Sequence, residues 1–209
     1  MRQRLCWVPT WRGWLLLALV TIIVAWLALK AAYPFLAPTE PLPGGVLVVE
    51  GWAGDRTLRF AVSEIRNRHF TRCIVTGGPL EEGAPLSEYK TFAQLGEATL
   101  LRIGLATNEV IAVPAPFVIR DRTYTAAVTL GKWLASNRVA ETNFTVMTSG
   151  AHARRSRLLF ERALGPQYHV GVIAMRPGDY EPARWWRSSQ GFRVVTSEAL
   201  AYAYARFIF

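Results

Sequence analysis

His152 and Arg155 stand three residues apart, just after the run Thr148-Ser149-Gly150. At that spacing they share one face of a first helical turn. A histidine there can act as general acid or base, and an arginine fork suits phosphate or carboxylate. Three further polar clusters interrupt an otherwise apolar chain. The first is Glu50-Gly51-Trp52-Ala53-Gly54-Asp55. The second is Thr76-Gly77-Gly78-Pro79, followed by Ser87-Glu88. The third is Arg120-Asp121-Arg122-Thr123. Gly77 and Gly78 let backbone amides approach a ligand closely. Arg122 adds a second guanidinium. Glu50, Glu88 and Asp121 are candidates to orient His152, to hold the arginines, to act as acid or base, or to bind a divalent ion. Thr76, Thr123 and Ser149 complete the candidate ligand contacts. Ser149 is the weaker candidate for a nucleophile, because no Gly-x-Ser-x-Gly elbow surrounds it.

Each cluster also has a purely structural reading. Gly77-Gly78 is the kind of turn that ends a strand. Ser87 and Glu88 suit a helix cap and its first-turn acid, and Asp121 suits the next cap. Arg154, Arg155, Arg157 and Arg162 suit a solvated helix face. Asn143-Phe144-Thr145 matches a glycosylation sequon but begins an apolar strand.

The elements that must position these residues alternate in type. Val46–Val49, Cys73–Val75, Val110–Val113, Phe144–Met147 and Val170–Ile173 are short and apolar throughout, as strands buried on both faces are. Between them lie helical stripes: Leu58, Val62, Ile65, His69; then Phe92, Leu95, Gly96, Thr99, Ile103; then Thr123, Ala126, Ala127, Leu130, Trp133, Leu134; then Arg155, Leu158, Leu159, Ala163. The stretch Thr196–Phe209 reads as a last helix, apolar on most sides. This order predicts an α/β fold, a Rossmann-like doubly wound sheet, mainly parallel, of about five strands. In such sheets ligands bind beyond the C-terminal strand ends, where all four polar clusters fall.

Before the domain, Gly13–Leu29 carries no charge. As a helix it spans about 25 Å, slightly short of a hydrocarbon core of about 30 Å. The apolar run resumes after Lys30, which can snorkel. Trp7, Trp11, Trp14 and Tyr33 fall where interfacial aromatics sit. We read residues 1–12 as a cytoplasmic N-terminus, 13–36 as an uncleaved transmembrane anchor, 37–45 as a stiff Pro/Gly linker and 46–209 as the exported domain. Arg2, Arg4 and Arg12 precede the span and only Lys30 follows closely, which keeps the N-terminus inside. A small-x-small cleavage site is poorly offered at Ala28-Leu29-Lys30.

The 209 residues are 51% hydrophobic and 19% charged, which excludes a disordered or collagen-like chain. The net charge is +9, almost wholly from arginine, since Lys30, Lys90 and Lys132 are the only lysines. That charge favours anionic ligands or lipid surfaces. No nucleic-acid module is recognisable. Cys6 and Cys73 fall on opposite sides of the span and cannot pair within one chain. With His69, His152 and His169 the only histidines, a structural zinc site has no basis, and no metal is assigned.

Taken together, the four clusters resemble the DUF218 family, the ElyC/SanA/YdcF group of bacterial envelope proteins. The matching residues are Thr76-Gly77-Gly78, Ser87-Glu88, Asp121-Arg122-Thr123, and Thr148-Ser149 with His152 and Arg155. Val48-Val49-Glu50-Gly51-Trp52 is similar to the start of one branch. The resemblance spans roughly Val46 to Ile173. This chain departs from many members in ending its first strand with Glu50-Gly51, and in having Thr125-Ala126-Ala127 where an Asn is frequent. The resemblance implies a Rossmann-like domain behind one membrane helix in the bacterial inner membrane. It implies a role in cell-envelope or peptidoglycan-precursor metabolism, with an anionic small molecule or lipid-linked precursor as ligand. S-adenosylmethionine has been suggested for a cytoplasmic relative. The present sequence lacks a Gly-x-Gly-x-x-Gly fingerprint, its domain reads as exported, and no cofactor is assigned. Whether the family site is catalytic or serves a scaffold or sensor stays open at this level.

Overall fold

Strands that are apolar on both faces need helices on both sides, and the chain delivers them. A computed structural model describes residues 10–80 and 87–209. The N-terminal residues Arg2, Arg4, Cys6 and Trp7 lie outside the described residues. Helix α1 (Trp11–Leu36) comes first. Then β1 (Val46–Glu50), α2 (Asp55–Arg68), β2 (Arg72–Gly77), α3 (Phe92–Arg102), β3 (Val110–Pro114), α4 (Arg122–Ser136), β4 (Asn143–Ser149), α5 (Ala153–Leu164), β5 (His169–Met175) and α6 (Ser189–Phe207) follow. The sheet is five-stranded, ordered β3-β2-β1-β4-β5, and every pairing is parallel. The chain winds outward from β1 to β3, then crosses back to place β4 on the other side of β1. The strand order therefore switches between β1 and β4.

Alternation along the strands divides the core. Leu47, Val49, Cys73, Val75 and Met147 face α2 and α3, with Leu58, Ile65 and Leu100. Val46, Val48, Ile74, Phe144 and Val146 face α4 and α5, with Leu130, Leu134 and Phe160. Burial pushes the Cys73 thiol well above the usual range and makes it an inert core residue.

Three local expectations are revised. Ser87-Glu88 does not open α3. Thr91 does, through a capping box in which its hydroxyl accepts from the Gln94 amide and the Gln94 side chain reaches back. The basic face of α5 is not simply solvated. Arg154 holds the Phe35 carbonyl, Arg157 holds Glu40 and Glu161, and Arg162 holds the Ala205 and Arg206 carbonyls.

The third revision concerns α1, which is long and apolar enough to cross a membrane yet is not separate from the domain. The last two turns of α1 bury Leu36 against Ala151, Trp185 and Val195. The Trp185 indole donates to the Leu29 carbonyl at 3.1 Å. Beyond the helix, Glu40 forms an antiparallel bridge to Val172 on the edge strand β5, with N–H···O distances of 2.8 and 3.1 Å. The Leu42 amide donates to Thr145 Oγ1 at 3.1 Å. The stretch read as a linker is pinned to the sheet.

Candidate functional site

Glu50 ends β1 at the switch point. Its register partner on β2 is Thr76, and one step beyond the Val49–Met147 pair lies Thr148 on β4. The three side chains form a row across the C-terminal ends of the central strands, on the face covered by α4 and α5. All three are buried, with Thr76 1% exposed and Thr148 0% exposed. Among the described residues, the Thr76 hydroxyl has no hydrogen-bond partner, and the Thr148 hydroxyl has none of good geometry but stands close enough to Glu50 to help hold its carboxylate ionised. Buried polar atoms are nearly always satisfied, so an orphaned Thr76 hydroxyl beside Glu50 marks a place that can take something polar.

His152 stands over this row. It closes a 3-10 turn, Gly150–His152, and leads into α5. Its Nε2 lies 3.6 Å from Glu50 Oε2 and 3.4 Å from Thr123 Oγ1 in the first turn of α4. Its Nδ1 lies 3.0 Å from Glu198 Oε1 on α6. Arg155 donates to the same Glu198 carboxylate through Nε (2.8 Å) and Nη2 (3.0 Å). The Ser156 hydroxyl donates to Glu50 Oε2 at 2.8 Å. The Trp52 indole, 3.4 Å from Glu50 Oε1, stands edge-on to the His152 ring with centroids 4.9 Å apart. Trp52 remains 41% exposed and roofs the pair.

The electrostatics follow from burial opposed by pairing. Burial alone would lower the His152 pKa, but the Glu50 and Glu198 carboxylates overcome it and raise it to about 9. Burial alone would raise Glu198, but hydrogen bonds from His152 and Arg155 bring it down to about 2. Glu50 is likewise held below its ordinary range: burial opposes this, while the His152 charge and hydrogen bonds from His152, Thr148 and Ser156 prevail. The two carboxylates favour an imidazolium at neutral pH, and with Arg155 the quartet is then neutral in sum. Arg155 Nη2 also lies 2.9 Å from His152 Nδ1, a contact that favours a neutral ring accepting there. In its charged form the ring carries a proton donor at Nε2.

The sequence-derived candidates divide accordingly. Glu50, Thr76, Thr123, His152 and Arg155 come together. Arg155 is occupied with Glu198, so it positions that carboxylate and the histidine more than it clamps a ligand. Ser149 is half-buried at the end of β4. Gly77 is needed for packing, since a Cβ there would lie 2.8 Å from the Phe92 Cβ, whereas Gly78 is open. Glu88, Asp121 and Arg122 are exposed on the rim. Asp121 heads α4 in a left-handed conformation with φ of 59° and makes no side-chain cap. Neither Glu88 nor Asp121 contacts His152. No cluster of metal-ligating side chains occurs among the described residues.

Glu198, Trp52, Ser156 and Thr148 complete the site; Trp52 and Thr148 fall within the sequence clusters without a role of their own, and Glu198 lies outside all of them. Glu198 had a signal: it is the sole acid in α6. A shallow surface hollow of about 640 Å³ lies elsewhere, at the far end of α5 beside Leu42, Arg157, Arg162 and Tyr168. The cations lining it already hold Glu40, Glu161 and backbone carbonyls, so it offers no chemistry.

No protein-family model, curated protein or solved structure matches this chain.

Proposed function

We propose that this chain is a membrane-anchored envelope protein of the DUF218 type. Its domain binds an anionic, phosphate-bearing ligand at the C-terminal strand ends and serves cell-envelope or peptidoglycan-precursor metabolism. The observation that carries this reading is the His152 ring above Glu50, flanked by the buried hydroxyls of Thr148 and of Thr76, the latter without a partner among the described residues. The N-termini of α4 and α5 meet at the same place and add partial positive charge. Arg120 and Arg122 on the rim supply guanidinium groups without carboxylate partners among the described residues. In a transfer or hydrolysis reaction His152 would protonate the leaving oxygen, with Glu50 and Glu198 holding the ring. The apolar α1 helix, with Arg12 in its first turn, supports a single pass with the N-terminus inside and the domain outside the plasma membrane.

A second reading, a scaffold or sensor without turnover, draws support from closure. His152 is 6% exposed and Trp52 covers it. Thermal shift of the full chain in detergent separates the two. Polyprenyl phosphates, nucleotide sugars and peptidoglycan fragments are added, then tested for turnover. A ligand-specific stabilisation lost in Arg122→Ala and a turnover lost in His152→Asn support the enzyme. Stabilisation without turnover supports the sensor. The absence of any shift, in protein that unfolds cooperatively, overturns the ligand site.

A further inference from the structure

α1 leaves its apolar span at Lys30, and there the domain grips it. The Trp185 indole holds the Leu29 carbonyl. Lys30 Nζ sits 4.8 Å from the centroid of Trp186 and 5.4 Å from that of Trp26. Phe192 stacks on Trp185 at 6.2 Å and is 55% exposed. The 3-10 segment Pro182–Arg187 and the first turn of α6 are thus fixed at the level where the span ends. Arg184, Arg187 and Arg193 project from this collar and are exposed. Lys30, Arg184 and Arg187 have no carboxylate partner among the described residues, and Arg193 meets only the Gln190 amide. Glu181, the nearest acid in the chain, is taken by Arg176.

A domain on a flexible tether can leave its membrane. This one has no such freedom, because α1 runs unbroken to Leu36 and Glu40 is bridged to β5. Its height is set by the helix. We propose that the collar is a seat on anionic lipid headgroups: Phe192 and Trp186 enter the interfacial layer, and Lys30, Arg184, Arg187 and Arg193 take lipid phosphates. Aromatic rings and guanidinium groups at one level are the side chains that this layer selects. Guanidinium forks match phosphate oxygens. The seat rests on α1 spanning a bilayer, but on no property of the ligand site.

The test uses the full chain with Cys6→Ser, since Cys73 is buried. A spin label is placed at Phe192→Cys, and in a second protein at Arg187→Cys. Leu19→Cys in the span and Arg138→Cys between α4 and β4 serve as references. The proteins are reconstituted in phosphatidylcholine vesicles with and without phosphatidylglycerol, and exposure to oxygen and to a water-soluble nickel chelate is compared. Position 192 is expected to favour oxygen, at shallower depth than 19, while 138 favours nickel. Phosphatidylglycerol should draw 187 and 192 deeper. Arg184→Glu, Arg187→Glu and Arg193→Glu together, read at 192, should abolish that response and leave 19 unchanged. An aqueous reading at 192 and 187 with a lipid reading at 19 overturns the seat alone. Labels shielded from both reagents, with spin coupling between copies, overturn it in favour of a second copy on this face. An aqueous reading at 19 as well overturns the span and the seat together.

Discussion

The Nδ1 of His152 meets the Oε1 of Glu198 at 3.0 Å, across 46 residues of sequence. That contact joins the head of α5 to the middle of α6, and α6 also packs against the end of α1. The site is therefore shared by the sheet, by α5 and by the C-terminal helix. Removing the acid is predicted to be felt at the histidine. Glu198→Gln keeps one acceptor oxygen and removes the charge. The His152 pKa should fall from about 9 while Glu50 keeps it above the free-imidazole value. NMR titration of the three imidazoles, with His152→Asn to assign the signal, reads this directly. An unmoved pKa would show that Glu50 alone sets it.

Stability should follow the same charges. His152 is raised in the folded chain, from 6.5 to about 9. Its contribution is complete below pH 6.5 and is lost as pH rises toward and through 9. Glu198 and Glu50 are lowered from 4.5, Glu198 to about 2. Their contribution is present above pH 4.5 and is lost as the medium is acidified through their folded values. Calorimetry of the full chain in detergent should find the network's contribution greatest between about pH 4.5 and 6.5, declining on both sides. His152→Asn should flatten the alkaline limb. A wild-type melting temperature that stays level from pH 6.5 to 9 would contradict the charge pairing.

The parts of this arrangement differ in how far sequence exposes them. Strands such as Val46–Val49 are legible because a fully apolar run has few other uses, and their order implies the switch point. Glu50, His152 and Arg155 are legible because polar residues at apolar strand ends stand out. Glu198 is harder, because its partners are distant in sequence and a single acid on a helix is ordinarily a surface residue. The docking of Leu29, Tyr33 and Leu36 is hardest. In sequence the last turns of a membrane span and a core-packing stripe are both simply apolar. Glu88 and Asp121 were attractive as acids, yet helix ends and loops carry such residues for solubility, and both lie on the rim.

Cutting the chain at residue 44 is predicted to damage the domain. It removes Leu36, which is 1% exposed, and the bridge between Glu40 and Val172. It also uncovers Trp185 and Val195. Loss of one buried leucine contact alone is worth about 1.5–3 kcal/mol. Gly150 lies under the same helix, since a Cβ there would sit 3.0 Å from the Tyr33 hydroxyl oxygen. The loss therefore reaches the turn that carries His152. Urea unfolding should show residues 44–209 markedly less stable than residues 29–209. Equal midpoints would mean that the end of α1 adds nothing to the stability of the domain.

Trp52 is predicted to control access. Its indole covers Glu50 and the edge of His152. With the proteins compared at one pH of about 8.5, where enough of the neutral ring is present to react, Trp52→Ala should speed diethylpyrocarbonate modification of His152 several-fold, and Trp52→Phe should restore most of the protection. Because Trp52 is 41% exposed, the stability change should stay near 1 kcal/mol, the ordinary scale of single substitutions. A modification rate unaffected by Trp52→Ala would place the entrance elsewhere, beside Thr123.

The buried hydroxyls of Thr76 and Thr148 beside Glu50 offer the sharpest separation of stability from binding. An unpaired buried hydroxyl costs about 1–3 kcal/mol. Thr76→Val and Thr148→Val replace each with a methyl group of nearly the same shape. If the hydroxyls served only the fold, their loss would be destabilising. The Thr76 hydroxyl has no partner among the described residues, so Thr76→Val should instead be neutral or stabilising, by up to about 1 kcal/mol, whereas Thr148→Val also removes a hydroxyl that helps hold the Glu50 carboxylate ionised and should be destabilising. The same substitutions should weaken whatever stabilisation inorganic phosphate or a phosphate ester confers on the full chain, because the row Thr76–Glu50–Thr148 then offers a ligand no hydroxyl donor. The paired outcome for Thr76→Val, a more stable protein that responds less to phosphate, is one that packing alone does not produce. A Thr76→Val variant that is less stable in the free protein would show that this hydroxyl is bonded within the fold, and would remove the main reason for placing a ligand above Glu50.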